Sequence, residues 1–312
     1  NSLRRYFEMS EVWLDSSNWS FNPQTGGKWD ERFRGKLFDS YLGKSSHPTQ
    51  NHSLKLYLRI FLKQVNNQTT AADSKNRNFP VKNWTSDEWS RFTSQFERQS
   101  NLWNNRFWLI PPRTFGVMDA QNGGHKVRPN VACRLIVEIV GSAATAHRTI
   151  NVVNLDVDAI KKQRGINPTS GTFKSNDKLY DSLDVKARNN TYDDDQGVEH
   201  TIKNYFTIAH ELGHAIGLAH IGVLKSRPQC KFAIALKKLG VKNVSSHLAR
   251  GSNAEVCYGE YDTLGLAENI MGLGTKFEVI NAQPWIDRVV MHTNTASHDW
   301  KVELGLTPPR AV

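Results

Sequence analysis

The most restrictive stretch of the chain is residues 207–220, which read Thr-Ile-Ala-His-Glu-Leu-Gly-His-Ala-Ile-Gly-Leu-Ala-His. At 3.6 residues per turn, His210 and His214 fall on one face of a helix one turn apart, and Glu211 projects beside them. A helix that continued would carry His220 to another face. Gly217 can take φ > 0, end the helix and turn the chain back, so that His220 joins the other two. Three neutral imidazoles suit one Zn²⁺ per chain and leave a fourth position for water, whose proton a carboxylate can accept. The expected metal ligands are therefore His210, His214 and His220, with Glu211 as catalytic base and Gly217 as the helix-ending turn. With 11 His in 312 residues, a chance match to all five fixed positions is on the order of one in ten thousand per chain or rarer.

The rest of the sequence reads as strand, helix, several strands, helix. Leu54, Leu56, Leu58, Ile60 and Leu62 alternate with Lys55, Tyr57, Arg59, Phe61 and Lys63, which predicts a strand with one buried face. Thr85 or Ser86 can cap a helix with Glu88, and Trp89, Phe92, Phe96 and Trp103 recur at helical spacing until Pro111-Pro112. Strands are expected over Val131–Val140, Thr149–Val157 and, more briefly, Leu179–Ala187. The loop Asp193–Gly197 then precedes a long helix beginning near Val198, and its three acids read as an exposed turn or a Ca²⁺ loop. Residues 1–50, rich in aromatics and broken by Asn22-Pro23 and Gly26-Gly27, read as an N-terminal extension. Its rings can pack against a neighbour or stack on sugars or bases.

The HExxHxxGxxH run resembles the signature of the metzincin clan of zinc metallopeptidases, in which a Met-turn follows downstream. Asn269-Ile270-Met271-Gly272 matches that turn and contains one of the chain's 4 methionines. The resemblance implies that Met271 forms an apolar floor beneath the histidines. It also implies an α+β, zincin-like catalytic domain over 51–312, with a twisted mixed β-sheet, an active-site helix, a Met-turn and a C-terminal helix beginning at Gln283 or Pro284. The upper subdomain would cover 51–217 and the lower 218–312. In the clan a substrate lies extended along an edge strand, for which Leu179–Ala187 is the candidate. Residue 221 is Ile and no Tyr stands two positions after Met271, so the resemblance stops at the clan.

The implied activity is that of a zinc-dependent endopeptidase acting on a protein or peptide substrate. Residues 221–254 hold Lys225, Arg227, Lys231, Lys237, Lys238, Lys242 and Arg250 and no Asp or Glu, and the whole chain carries a net charge of +10. This basic insertion reads as a solvated face or as a contact for an acidic or anionic surface. Together with the aromatic extension it suggests a microbial toxin effector, secreted or delivered into a target cell. The alternative is a non-catalytic, zinc-containing module that binds a polyanion or glycan. A purely structural zinc site, however, is normally closed by four protein ligands and has no use for Glu211. No nucleic-acid motif stands out, and no run approaches the roughly 18 apolar residues of a membrane span. The three cysteines, Cys133, Cys230 and Cys257, allow at most one plausible bridge, Cys230 to Cys257, or are simply thiols.

Overall fold

A computed structural model describes residues 13–15, 30–43, 51–113, 115, 119–122, 125–193, 199–218 and 268–307. The basic insertion, Cys230, Cys257, Asp194 and Asp195 lie outside the described residues. The chain is a mixed α+β protein whose described part contains four α-helices and a mixed sheet. It divides into two compact units, one made of residues 1–61, 101–148 and 282–312, the other of 62–100 and 149–281.

The sheet of the first unit is built on β4 (His52–Val65), whose first ten residues belong to this unit. Its period of two places Leu54, Leu56, Leu58 and Ile60 at 0% exposure. The expected buried face is there, and the other face is half-buried, with Tyr57 on it buried as well. β4 runs parallel to β10 (Val131–Ile139), in a register that runs from Val131 opposite His52 to Ile139 opposite Ile60. On the far side of β10 follow β7 (Phe107–Ile110) and β15 (Lys301–Leu304), both paired antiparallel. On the near side β4 pairs with β3 (Asp39–Gly43), then β2 (Arg32–Arg34) and β1 (Trp13–Asp15). Residues 32–43 of the expected extension thus share one sheet with β4. A small hairpin of β8 (Ala120–Asn122) and β9 (His125–Val127) stands apart. Helix α4 (Gln283–Thr293) carries Pro284 in its first turn, where the missing N–H costs no helical bond, and buries Trp285 against Trp103 and Phe107. The Trp285 indole also donates to the Arg134 carbonyl at 3.1 Å. Trp103 sits in a 3₁₀ turn past the end of the preceding helix, not within it.

The second unit holds the sequence run at issue. Its sheet places β11 (Arg148–Leu155, with Arg148 in the first unit) between β12 (Leu179–Asp181), parallel, and β6 (Asn78–Lys82), antiparallel, with β5 (Thr70–Ala72) beyond. Phe79, Val81, Val153, Leu155, Ile160, Phe173 and Leu183 form its core. Helix α1 (Ser86–Ser100) opens on a capping box: Thr85 Oγ1 accepts the Glu88 N–H at 3.2 Å, and the Glu88 carboxylate accepts the Thr85 N–H. Trp89, Phe92 and Phe96 line its inner face and extend to Tyr180. Helix α2 (Val157–Arg164) was not expected, although Asp156 caps it and Gly165 closes it at φ 68°.

Two expectations need correction. The strand foreseen over Leu179–Ala187 stops at Asp181, because the Asp181 carboxylate accepts the Leu183 N–H at 2.6 Å. The Asp184 and Lys186 N–H groups then bond to the carbonyls of Asp181 and Leu183, turning the chain over residues 182–186. The helix foreseen from Val198 begins only at Thr207. Before it, β13 (Arg188–Asp193) and β14 (Glu199–Tyr205) form an antiparallel hairpin. Asn204, at φ 60°, sits in the left-handed region that asparagine tolerates, where the pairing slips by one residue between Ile202 opposite Asn190 and Tyr205 opposite Arg188.

Candidate metal centre

Helix α3 (Thr207–Ala215) packs against α1 and buries Ile208, Ala209 and Leu212, which orients its opposite side. His210 is 4% exposed, while His214 and Glu211 are half-buried. The two rings stand edge-on, 4.8 Å between centroids, with their Nε2 atoms 3.1 Å apart.

What fixes these nitrogens is two backbone carbonyls. His210 Nδ1 lies 2.8 Å from the Ile270 carbonyl oxygen, and His214 Nδ1 lies 2.8 Å from that of Leu218. A carbonyl only accepts, so each Nδ1 carries a proton, and a ring in its neutral form then presents a lone pair at Nε2. Two lone pairs at this separation repel each other unless a cation lies between them. Two Zn–N bonds of roughly 2.0–2.1 Å meeting near the tetrahedral angle would hold their nitrogens about 3.3 Å apart, close to the spacing of this pair. The donor set and its spacing fit a divalent metal.

Both carbonyls belong to tight turns. Past Ala215 the helix ends in a Schellman arrangement: Leu218 N–H bonds the Gly213 carbonyl and Gly217 N–H bonds that of His214, each at 3.0 Å. Gly217 occupies the pivot at φ 97°. The Met-turn candidate forms the second. Ile270 N–H bonds the Lys276 carbonyl at 2.7 Å, and Gly272 N–H bonds that of Asn269 at 2.8 Å. Met271 is completely buried. At Gly274 a Cβ would come within 1.9 Å of the Glu268 carbonyl oxygen, so the turn closes only with glycine there.

His220 lies outside the described residues, and among those described no third His, Cys, Asp or Glu joins the pair. Three neighbours, Tyr205, Arg188 and Asn281, are not read from the sequence, and Asn269 is read there only as part of the Met-turn. The Tyr205 ring lies 5.6 Å from that of His210 and stays uncharged, because burial, and next the Glu211 carboxylate, push its phenol well above its usual pKa. The Arg188 guanidinium lies over the far ring, 4.8 Å from the Tyr205 centroid. Asn269 and Asn281, both at 0% exposure, pair their side-chain amides below the Met-turn. Ile202 and Tyr205 are both buried but stand three apart, because Asn204 adds a residue to the strand, so period two does not single Tyr205 out. Arg188 and Asn281 carry no local signal either.

Elsewhere, Cys133 is a buried free thiol in β10, whose pKa burial pushes up, leaving it inert. Among the described residues no helix is long and apolar enough to cross a membrane. Comparison with protein family models, curated proteins and solved structures finds no match.

Proposed function

We propose that the chain is a zinc-dependent endopeptidase. The observation that carries this reading is the His210–His214 pair, with both Nδ1 protons committed to carbonyls and the two Nε2 atoms 3.1 Å apart. His220, three residues past Gly217, is the third ligand in this reading. Zinc held by these residues would supply a Lewis acid and make water more acidic at the site. Glu211, adjacent in sequence to His210, accepts the proton of the attacking water and returns it to the leaving amine. In this reading the fully buried Met271 is the apolar floor of the site and offers no competing charge, and the neutral Tyr205 phenol adds none beside His210. The basic insertion suits an acidic segment of the protein substrate.

The test is Glu211→Ala. It should keep the parent's zinc content and thermal stability while losing roughly 10²–10⁴-fold in kcat on a peptide library. Proteolysis unchanged by the substitution would place the activity elsewhere, and a parent that cleaves nothing but binds a polyanion tightly would refute the enzyme reading.

A further inference from the structure

The Ile270–Met271 peptide group is held at both ends. Its carbonyl accepts from His210 Nδ1 at 2.8 Å, and its N–H donates to Asn269 Oδ1 at 2.8 Å. Asn269 is itself held: its Nδ2 donates to Asn281 Oδ1 and its Oδ1 accepts from Asn281 Nδ2, both at 3.0 Å. Asn281 Oδ1 also takes the Glu278 N–H at 2.8 Å. Each amide therefore has only one orientation that satisfies its partners, because a flip of either would set an NH₂ group against a backbone N–H. Both side chains are fully buried, so water cannot replace a lost bond.

We infer that Asn269 is a positioning residue for the metal centre, and that Asn281 locks its amide. A peptide group is planar, so fixing the Met271 N–H fixes the direction of the Ile270 carbonyl. That carbonyl decides which nitrogen of His210 keeps the proton. Donation from Met271 N–H into the Asn269 oxygen also polarises the peptide and makes the carbonyl a stronger acceptor. The relay runs from Asn281 through Asn269 and one peptide plane to His210 Nδ1, and ends with the lone pair at Nε2 aimed at the metal. Its value for metal binding rests on the zinc reading given above. Its effect on the imidazole does not.

The experiment compares the parent with Asn269→Ala and Asn269→Asp. The Asp variant keeps the oxygen that accepts Met271 N–H and Asn281 Nδ2–H, and its carboxyl, held protonated by burial, replaces the lost Nδ2 as donor to Asn281 Oδ1. In the metal-free proteins, long-range ¹H–¹⁵N NMR of the histidine rings reads the tautomer of His210, identified by its absence from His210→Gln. The parent should show the Nδ1–H form, Asn269→Ala a mixture with Nε2–H, and Asn269→Asp a return to Nδ1–H. Zinc affinity, measured by competition with a chelator, should fall roughly 10- to 100-fold in Asn269→Ala and stay within about threefold of the parent in Asn269→Asp. Where Asn269→Ala does not fold, Asn281→Ala takes its place. It leaves the 269–271 turn its own side chain but frees the Asn269 amide to flip, and the same two readouts should move in the same directions. A folded alanine variant with His210 still wholly Nδ1–H and with unchanged zinc affinity overturns the inference. A parent that binds no zinc would refute the proposed activity while leaving the tautomer comparison to decide this one.

Discussion

Replacing Gly217 by alanine should damage the candidate centre through the backbone alone. At φ 97° the residue lies in, and beyond the usual centre of, the left-handed region, where an L side chain costs about 1–2 kcal/mol. The chain can avoid that strain only by opening the Schellman turn. Opening it gives up the Leu218 N–H bond to Gly213 and the Gly217 N–H bond to His214, each with a net value of about 1 kcal/mol. The loss for the metal-free protein is therefore about 1–2 kcal/mol, the smaller of the two routes. A second effect appears only with metal bound. The Leu218 carbonyl that moves with the turn is the one that holds His214 Nδ1–H. Zinc affinity should then fall by roughly tenfold, and the stability gained on adding saturating zinc should shrink by about 1.4 kcal/mol. Urea denaturation with and without zinc separates the two effects. Gly217→Asn, which tolerates this region better, should fall between alanine and the parent. An alanine variant with the parent's urea midpoint in both states would show that neither the turn nor its carbonyl governs His214.

Two further outcomes are expected. Burial pushes the Asp184 carboxyl up to about 6, and burial followed by the Asp184 charge raises Asp181 well above its usual range. Because the folded values exceed the unfolded ones, this contribution to stability is complete below the ordinary aspartate pKa of about 4 and is lost as pH rises through 6. The melting temperature of the metal-free protein should accordingly fall between pH 5 and 7 by less in Asp184→Asn than in the parent, and equal slopes would refute the assignment. His220→Ala should lose most of the roughly one zinc per chain expected of the parent, since two imidazoles alone make a weak site. Full retention by elemental analysis would remove His220 from the ligand set.

Where the determinants of the fold are local, the sequence spells them out. Alternation over residues 54–62 is enough for β4, Thr85 with Glu88 for the start of α1, and Gln283-Pro284 for the start of α4, because each rests on neighbours within four positions. The hairpin of β13 and β14 was lost to the helix that follows. Ile202 and Tyr205 are buried three residues apart, a helical spacing, because the extra residue at Asn204 interrupts the strand's period of two. β7 and β15 pair across most of the chain, so neither announces its partner. The site divides in the same way. His210 and His214 are legible because four residues make one helical turn, whereas their orienting partners are backbone carbonyls of Ile270 and Leu218, which carry no side-chain identity to read. The Asn269–Asn281 pair looks like two ordinary loop asparagines until the chain is folded.

The pairing of β7 with β15 also imposes an order of events on the ribosome. β7 gains β10 as a neighbour once residue 139 has emerged, but its other edge waits for Leu304. At roughly 5–20 residues per second, a bare strand reading Phe-Trp-Leu-Ile would stand open for about ten seconds or more. Such an edge is a template for pairing with another nascent chain. Pro111 and Pro112, directly after β7, cannot donate to a growing ladder, so they cap this vulnerable segment and confine the hazard to four residues until β15 arrives.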